Sequence, residues 1–161
     1  MDKLTSYRCK QHQAGFATTE MVIVLPLLLL LLLGTAEFGR VLYQYEALTK
    51  SIRDAARYGS SHALTAELGY IDTTHPEWTA VQQDIKNLVV CGMKSCVGQT
   101  ALLDNLAVTD VSVTAPDGEH LRVDATYYFE PIFGNTLSLF GLGGSIALNF
   151  PLRSSITLRA L

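Results

Sequence analysis

Residues 21–33 read MVIVLPLLLLLLL, thirteen positions without a charge or a hydrogen-bonding side chain. Gly34, Thr35 and Ala36 extend the stretch, and Phe16-Ala17-Thr18-Thr19-Glu20 leads into it. The 23 residues from Phe16 to Phe38 make roughly 34 Å of helix. That is enough to cross a hydrocarbon layer of about 30 Å with some tilt. The competing reading is a helix buried in a soluble core. Seven consecutive Leu at 27–33 leave it no solvated face, which favours a membrane span.

The flanks set an orientation. Residues 1–15 carry Lys3, Arg8 and Lys10 against Asp2 alone. The excess of basic residues predicts that this end stays in the cytoplasm and that everything after the span is exported. In a bacterium the far side is the oxidising periplasm.

Two processing events compete. A signal peptide would be cut at the small residues Gly34-Thr35-Ala36, releasing a soluble chain that begins at Glu37. Alternatively a short basic leader ends at Gly15, and the mature chain begins at Phe16 with Glu20 just ahead of the apolar run. Glu20 discriminates between them. A carboxylate costs on the order of 2.5–3.5 kcal/mol at a bilayer centre, and less near the interface. A disposable signal peptide has no use for that cost. A subunit packing beside identical helices can pair Glu20 with a neighbour's new α-amino group and so fix register. A snorkelling interfacial acid is the plainer alternative.

Composition bounds the rest. The 161 residues hold 12 Lys+Arg against 15 Asp+Glu, a formal net charge of −3. No basic excess exists to neutralise phosphates, which argues against a nucleic-acid partner. With 17% charged and 48% apolar residues, the chain is not a disordered polar polymer. One small domain beyond the span is the expected size.

The stretch Gly15-Phe16-Ala17-Thr18-Thr19-Glu20 ahead of an apolar run resembles the processing site of type IV pilin-like proteins. The resemblance implies cleavage after Gly15 by a prepilin peptidase and N-methylation of Phe16. The longer run to Gly59 is more specifically similar to the TadE-like family, minor pseudopilins of the tight-adherence (Flp) pilus assembly system. Thr19-Glu20, Leu25-Pro26, Glu37-Phe38-Gly39-Arg40 and Ala55-Ala56-Arg57-Tyr58-Gly59 carry that likeness. Major Flp pilins share the cut site but are much shorter and usually have Tyr after the Glu. Here Met21 follows and a head of about 100 residues is attached, which implies an accessory subunit in place of a shaft protein.

Beyond the span, Phe38, Val41/Leu42, Tyr45, Leu48/Thr49, Ile52, Ala55/Ala56 and Gly59 recur at three- and four-residue steps. This predicts one helix from near Phe16 to near Ser60, kinked at Pro26 and ended by Gly59-Ser60-Ser61. Its stripe packs on the chain's own sheet or forms a seam with a partner helix; Phe38, Leu42, Tyr45 and Ile52 are the seam candidates. A second helix is expected from His75-Pro76-Glu77 to about Val90, with Thr74 three residues before Glu77 as a capping-box start. Cys91 and Cys96 then read as a local disulfide. A zinc site would need two more ligands, and a redox motif would need C-x-x-C. Cys9 falls in the leader.

From Leu106 the period changes to two. Val111 and Val113, the turn Ala115-Pro116-Asp117-Gly118-Glu119, and Leu121, Val123, Ala125, Tyr127 and Phe129 predict a hairpin with one buried face. Ser145 to Arg159 reads as a third strand broken near Pro151. The connection 131–144, PIFGNTLSLFGLGG, is an uncharged apolar loop. It could fold over the core, lie on the membrane surface or meet a neighbouring subunit. No nucleophile elbow, phosphate loop or clustered His is present, so no catalytic residue, metal, cofactor or small-molecule substrate is expected.

The resulting expectation is an α+β, pilin-like chain: a long N-terminal transmembrane and amphipathic helix packed on a small antiparallel sheet. It comprises a cytoplasmic leader 1–15, a span 16–38, a periplasmic continuation 39–60 and a head 61–161. As a non-enzymatic, single-pass inner-membrane protein, its partners would be the peptidase, other pilus subunits and the inner-membrane pilus machinery that serves adhesion.

Overall fold

A computed structural model of the chain describes residues 12–63, 70–132, 134–138 and 144–161. Residues 1–11, with Cys9, lie outside the described residues, as do 64–69 and, within the apolar connection, 133 and 139–143. The chain is α+β, and its described residues divide into two units at the Arg40–Val41 junction.

The first unit is helical. Helix α1 spans His12–His62 and passes through Pro26 without ending there. It therefore begins several residues earlier than the apolar run requires, and the Gly15–Phe16 bond lies inside it.

The second unit has its own core. Along α1 the buried residues are Leu48, Ile52, Ala55 and Ala56, with Ser51, Gly59 and Ser60 on the same side. They meet Ile85 and Val89 of helix α2, which spans Pro76–Cys91. They also meet alternate residues of a three-stranded antiparallel sheet of order β1-β2-β5, formed by Val111–Thr114, His120–Tyr128 and Pro151–Arg159. Val113 stands opposite Val123, and Ala125 opposite Ser154. The period-two residues Val111, Val113, Leu121, Val123, Ala125 and Tyr127 are all buried. The hairpin turn works as its composition predicts. Asp117 Oδ1 accepts from the backbone N–H groups of Glu119 (3.1 Å) and His120 (2.8 Å), and Gly118 takes φ 73°.

Four local expectations are corrected. Gly59 does not end α1. It sits buried within the helix, where an added Cβ would fall 2.7 Å from Ile85 Cδ1 and closer still to Leu121 Cδ2. The glycine is there for close approach of α1 to α2 and β2, and the helix runs on to His62.

Thr74 does not cap α2. Its backbone N–H and hydroxyl both donate to Asp72 Oδ1 (2.8 and 2.6 Å), which leaves His75 at the cap, its Nδ1 accepting from Glu77 N at 3.4 Å. Pro76 at the first helical position fits that boundary.

The predicted third strand is two strands in different sheets. Strand β4 (Ser145–Ala147) pairs with β3 (Thr136–Ser138), while β5 begins at Pro151 on the edge of the main sheet. A proline with no N–H is compatible with the first position of an edge strand. The apolar connection is thus partly a hairpin arm.

Ile52 is fully buried in the head's own core, so it is not open to a partner helix.

Candidate functional site

The exposed apolar surface of α1 is the dominant chemical feature of the chain. Every residue from Ala17 to Ala36 is exposed, with Val22 at 72% and Ile23 at 77%. The most apolar 18-residue window has a mean hydropathy of 2.4, and none of it is buried. Fully burying a large apolar side chain is worth about 1.5–3 kcal/mol, so a dozen left in water forfeit on the order of 20 kcal/mol. This surface can attract lipid or other helices, and it has no means of catalysis.

Polar groups at its edges are handled locally. Thr35 Oγ1 donates to the Leu32 carbonyl at 2.8 Å. Glu37 accepts from Arg40 Nη1 at 2.9 Å, one turn on, so both charges at the end of the run have a partner. Glu20 differs: it is exposed among apolar neighbours, and no hydrogen bond or ion pair to it occurs among the described residues. Gly15 and Phe16 lie on the same helix, one turn before it.

Of the seam candidates, Phe38 is 64% exposed. Leu42 and Tyr45, in the second unit, are half-exposed, and Ile52 is the buried exception. Tyr43 falls between the stripe positions, yet it is the most exposed aromatic of this group at 73%. An aromatic residue on the polar side of an amphipathic helix is the signal that reveals it.

At the other helix, Cys91 and Cys96 form a disulfide with Cα atoms 5.8 Å apart. Cys91 is the last residue of α2, and Gly92 (φ 72°) donates its N–H to the Leu88 carbonyl at 3.0 Å. Asn87 Nδ2 donates to the Lys94 carbonyl at 2.6 Å, and Leu102 N donates to the Val90 carbonyl at 2.7 Å. The disulfide thus belongs to a tied-down helix terminus. The same loop brings Lys94 Nζ to 4.5 Å from the centre of the Tyr58 ring. Its interaction with Tyr58 raises the Lys94 pKa above the usual lysine value. Spacing gave no sign of this contact, because the residues are far apart in sequence.

No group of three His, Cys, Asp or Glu side chains placed to hold a metal occurs among the described residues. His62 stacks on Tyr58, His75 caps α2, and His120 Nδ1 lies 2.7 Å from Asp117 Oδ2. Each of the three has a local structural task.

The family model described as TadE-like protein matches residues 15–57. The match ends at Arg57, inside α1, so the sheet and α2 lie beyond it. No curated protein and no solved structure matches the chain.

Proposed function

With residues 15–57 identifying the chain as a member of the TadE-like family, we propose that it is a minor pseudopilin required for assembly of a tight-adherence pilus. The family supports a role in that pilus system and is not an enzyme family. Prepilin peptidase cuts after Gly15, and the new α-amino group of Phe16 and the carboxylate of Glu20 pair between neighbouring subunits. The apolar part of α1 holds the subunit in the inner membrane, with the leader cytoplasmic and the head periplasmic. Phe38, Leu42 and Tyr45 contribute to contacts with other pilus subunits.

The observation that carries this reading is the union of one continuous helix, His12–His62, with an uncovered apolar surface over Ala17–Ala36 and a head that owns a separate core. A secreted soluble protein cut after Ala36 is the second reading. One fact favours it: the head's core begins beyond Val41 and does not draw on the apolar run. Mass spectrometry of the natural mature N-terminus tests both. A chain starting at Phe16 is expected, and one starting at Glu37 overturns the pseudopilin reading. Comparing sheared pili with inner membranes then separates a polymerised subunit from an assembly factor that stays behind.

A further inference from the structure

Two contacts fix the direction of β5 along α1 within the head. Thr49 Oγ1 lies 3.4 Å from Ser154 Oγ, and Leu161 N donates to the Ser60 carbonyl at 2.9 Å. The strand and this half of the helix therefore run the same way. Pro151 lies roughly 10 Å before Ser154 along a strand, and Leu42 roughly 10 Å before Thr49 along a helix. The start of β5 thus shares one end of the head with the start of its helix. Pro151 pairs with Tyr128, and Phe129 and Phe150 bring their rings to 5.6 Å. This end gathers exposed apolar side chains: Leu42 (48%), Tyr43 (73%), Tyr45 (43%), Tyr128 (60%), Ile132 (67%) and Phe150 (41%). Scattered single exposures need no explanation, but a cluster of this kind marks an interaction surface.

We propose that this collar lies in the headgroup layer of a phospholipid bilayer, so that the head is held to the membrane by its own surface as well as by its helix. The inference rests on reading the apolar stretch of α1 as a membrane span. Chain continuity selects lipid as the occupant: Leu42 follows Phe38, the end of the apolar stretch, by only four residues, roughly 6 Å of helix. Composition agrees. Tyrosine rings with an apolar body and a polar tip favour the membrane–water boundary. Exposed Arg153 on β5, near the same end, suits phosphate groups. Two acids lie nearby: Glu130 accepts from Asn105 Nδ2 at 3.1 Å and stays exposed, and exposed Glu46 follows Tyr45 on α1. At the opposite end, where Ile71 N donates to the Gly118 carbonyl, exposed Tyr70 and Leu161 serve as internal controls.

The test uses the full chain in phosphatidylethanolamine–phosphatidylglycerol vesicles containing lipids brominated near the headgroup, with a parallel set brominated deep in the acyl chains that reads Leu29→Trp at mid-span. In a Trp78→Phe background, single tryptophans are placed by Leu29→Trp, Ile132→Trp or Tyr70→Trp. Quenching of Ile132→Trp is expected to exceed that of Tyr70→Trp by at least roughly threefold, as for a headgroup-level residue. If Ile132→Trp is no more quenched than Tyr70→Trp while Leu29→Trp is quenched, the collar proposal is overturned and the span stands. An unquenched Leu29→Trp overturns the span and the collar with it. If Ile132→Trp responds only to dilution of protein in lipid, the collar meets a second copy of the chain, and lipid is the wrong occupant. Trp78 is buried in the core, so the unaltered chain is also labelled with a diazirine-bearing lipid. Adducts at 128–132 and 150 in preference to 70 and 161 are expected, and the reverse distribution overturns the proposal.

Discussion

The Tyr58 hydroxyl donates to Asp84 Oδ2 at 3.0 Å, joining the last turns of α1 to the middle of α2. The Tyr58 ring also stacks on His62, with centroids 4.2 Å apart, and receives Lys94. Tyr58→Phe keeps both ring contacts and removes the hydroxyl's interactions with Asp84 and Lys94. Thermal unfolding in detergent should show a loss of about 1 kcal/mol, the usual net worth of such a bond. A loss as large as that of Tyr58→Ala would mean that the hydroxyl matters more than the ring.

Gly59 is the point of closest approach between α1 and the layers beneath it. Gly59→Ala would gain helix propensity, up to about 1 kcal/mol, but drive a methyl into Ile85 and Leu121. Overpacking of this kind costs about 1–3 kcal/mol, so the net effect should be destabilising. The double variant Gly59→Ala/Ile85→Val should recover part of the loss. Recovery in a denaturant titration is the check.

The Cys91–Cys96 bridge closes a loop of six residues. Chain entropy assigns it about 2 kcal/mol. Cys91→Ser/Cys96→Ser should lower the unfolding free energy by that amount, and dithiothreitol should lower the unaltered chain to the same level. The double variant should no longer respond to reductant.

Two carboxyl groups titrate below their ordinary value. The Thr74 hydroxyl and backbone N–H hold Asp72 down, and the His120 backbone and ring hold Asp117 down. A carboxylate depressed in the folded chain stabilises it above the unfolded pKa, here 3.8, and that contribution disappears as pH falls through the folded value. Stability should therefore stay level with respect to these groups above about pH 5 and fall below it. Asp117→Asn should flatten the acid limb of a stability–pH curve.

The Gly15–Phe16 bond lies within α1, so the proposed cleavage there would require a helical turn to unwind. Glycine is destabilising in a helix by roughly 0.5–1 kcal/mol relative to alanine, which eases that unwinding. Gly15→Val should leave an uncut precursor, seen as a slower band and an intact N-terminus by mass spectrometry. Normal processing of this variant would remove Gly15 from the cut site.

The hydropathy of residues 16–38 determined the apolar helix by itself, because an unbroken Leu run can satisfy its backbone and hide its side chains in few other ways. The alternation around Val111–Val113 and Leu121–Tyr127 likewise determined the hairpin and its buried face, since a strand's period is local. Asp117-Gly118 supplied the turn on the same terms. What tertiary structure decided is non-local. Which apolar residues of the amphipathic stripe face this chain's own core depends on where β2 and α2 lie, and it places Ile52 inside and leaves Leu42 and Tyr45 exposed. Gly59 could pass for a helix end until Leu121 and Ile85 came to rest against it. The gathering of Tyr43, Tyr128 and Phe150 at one end of the head depends on chain segments about a hundred residues apart meeting in space, which no local period encodes.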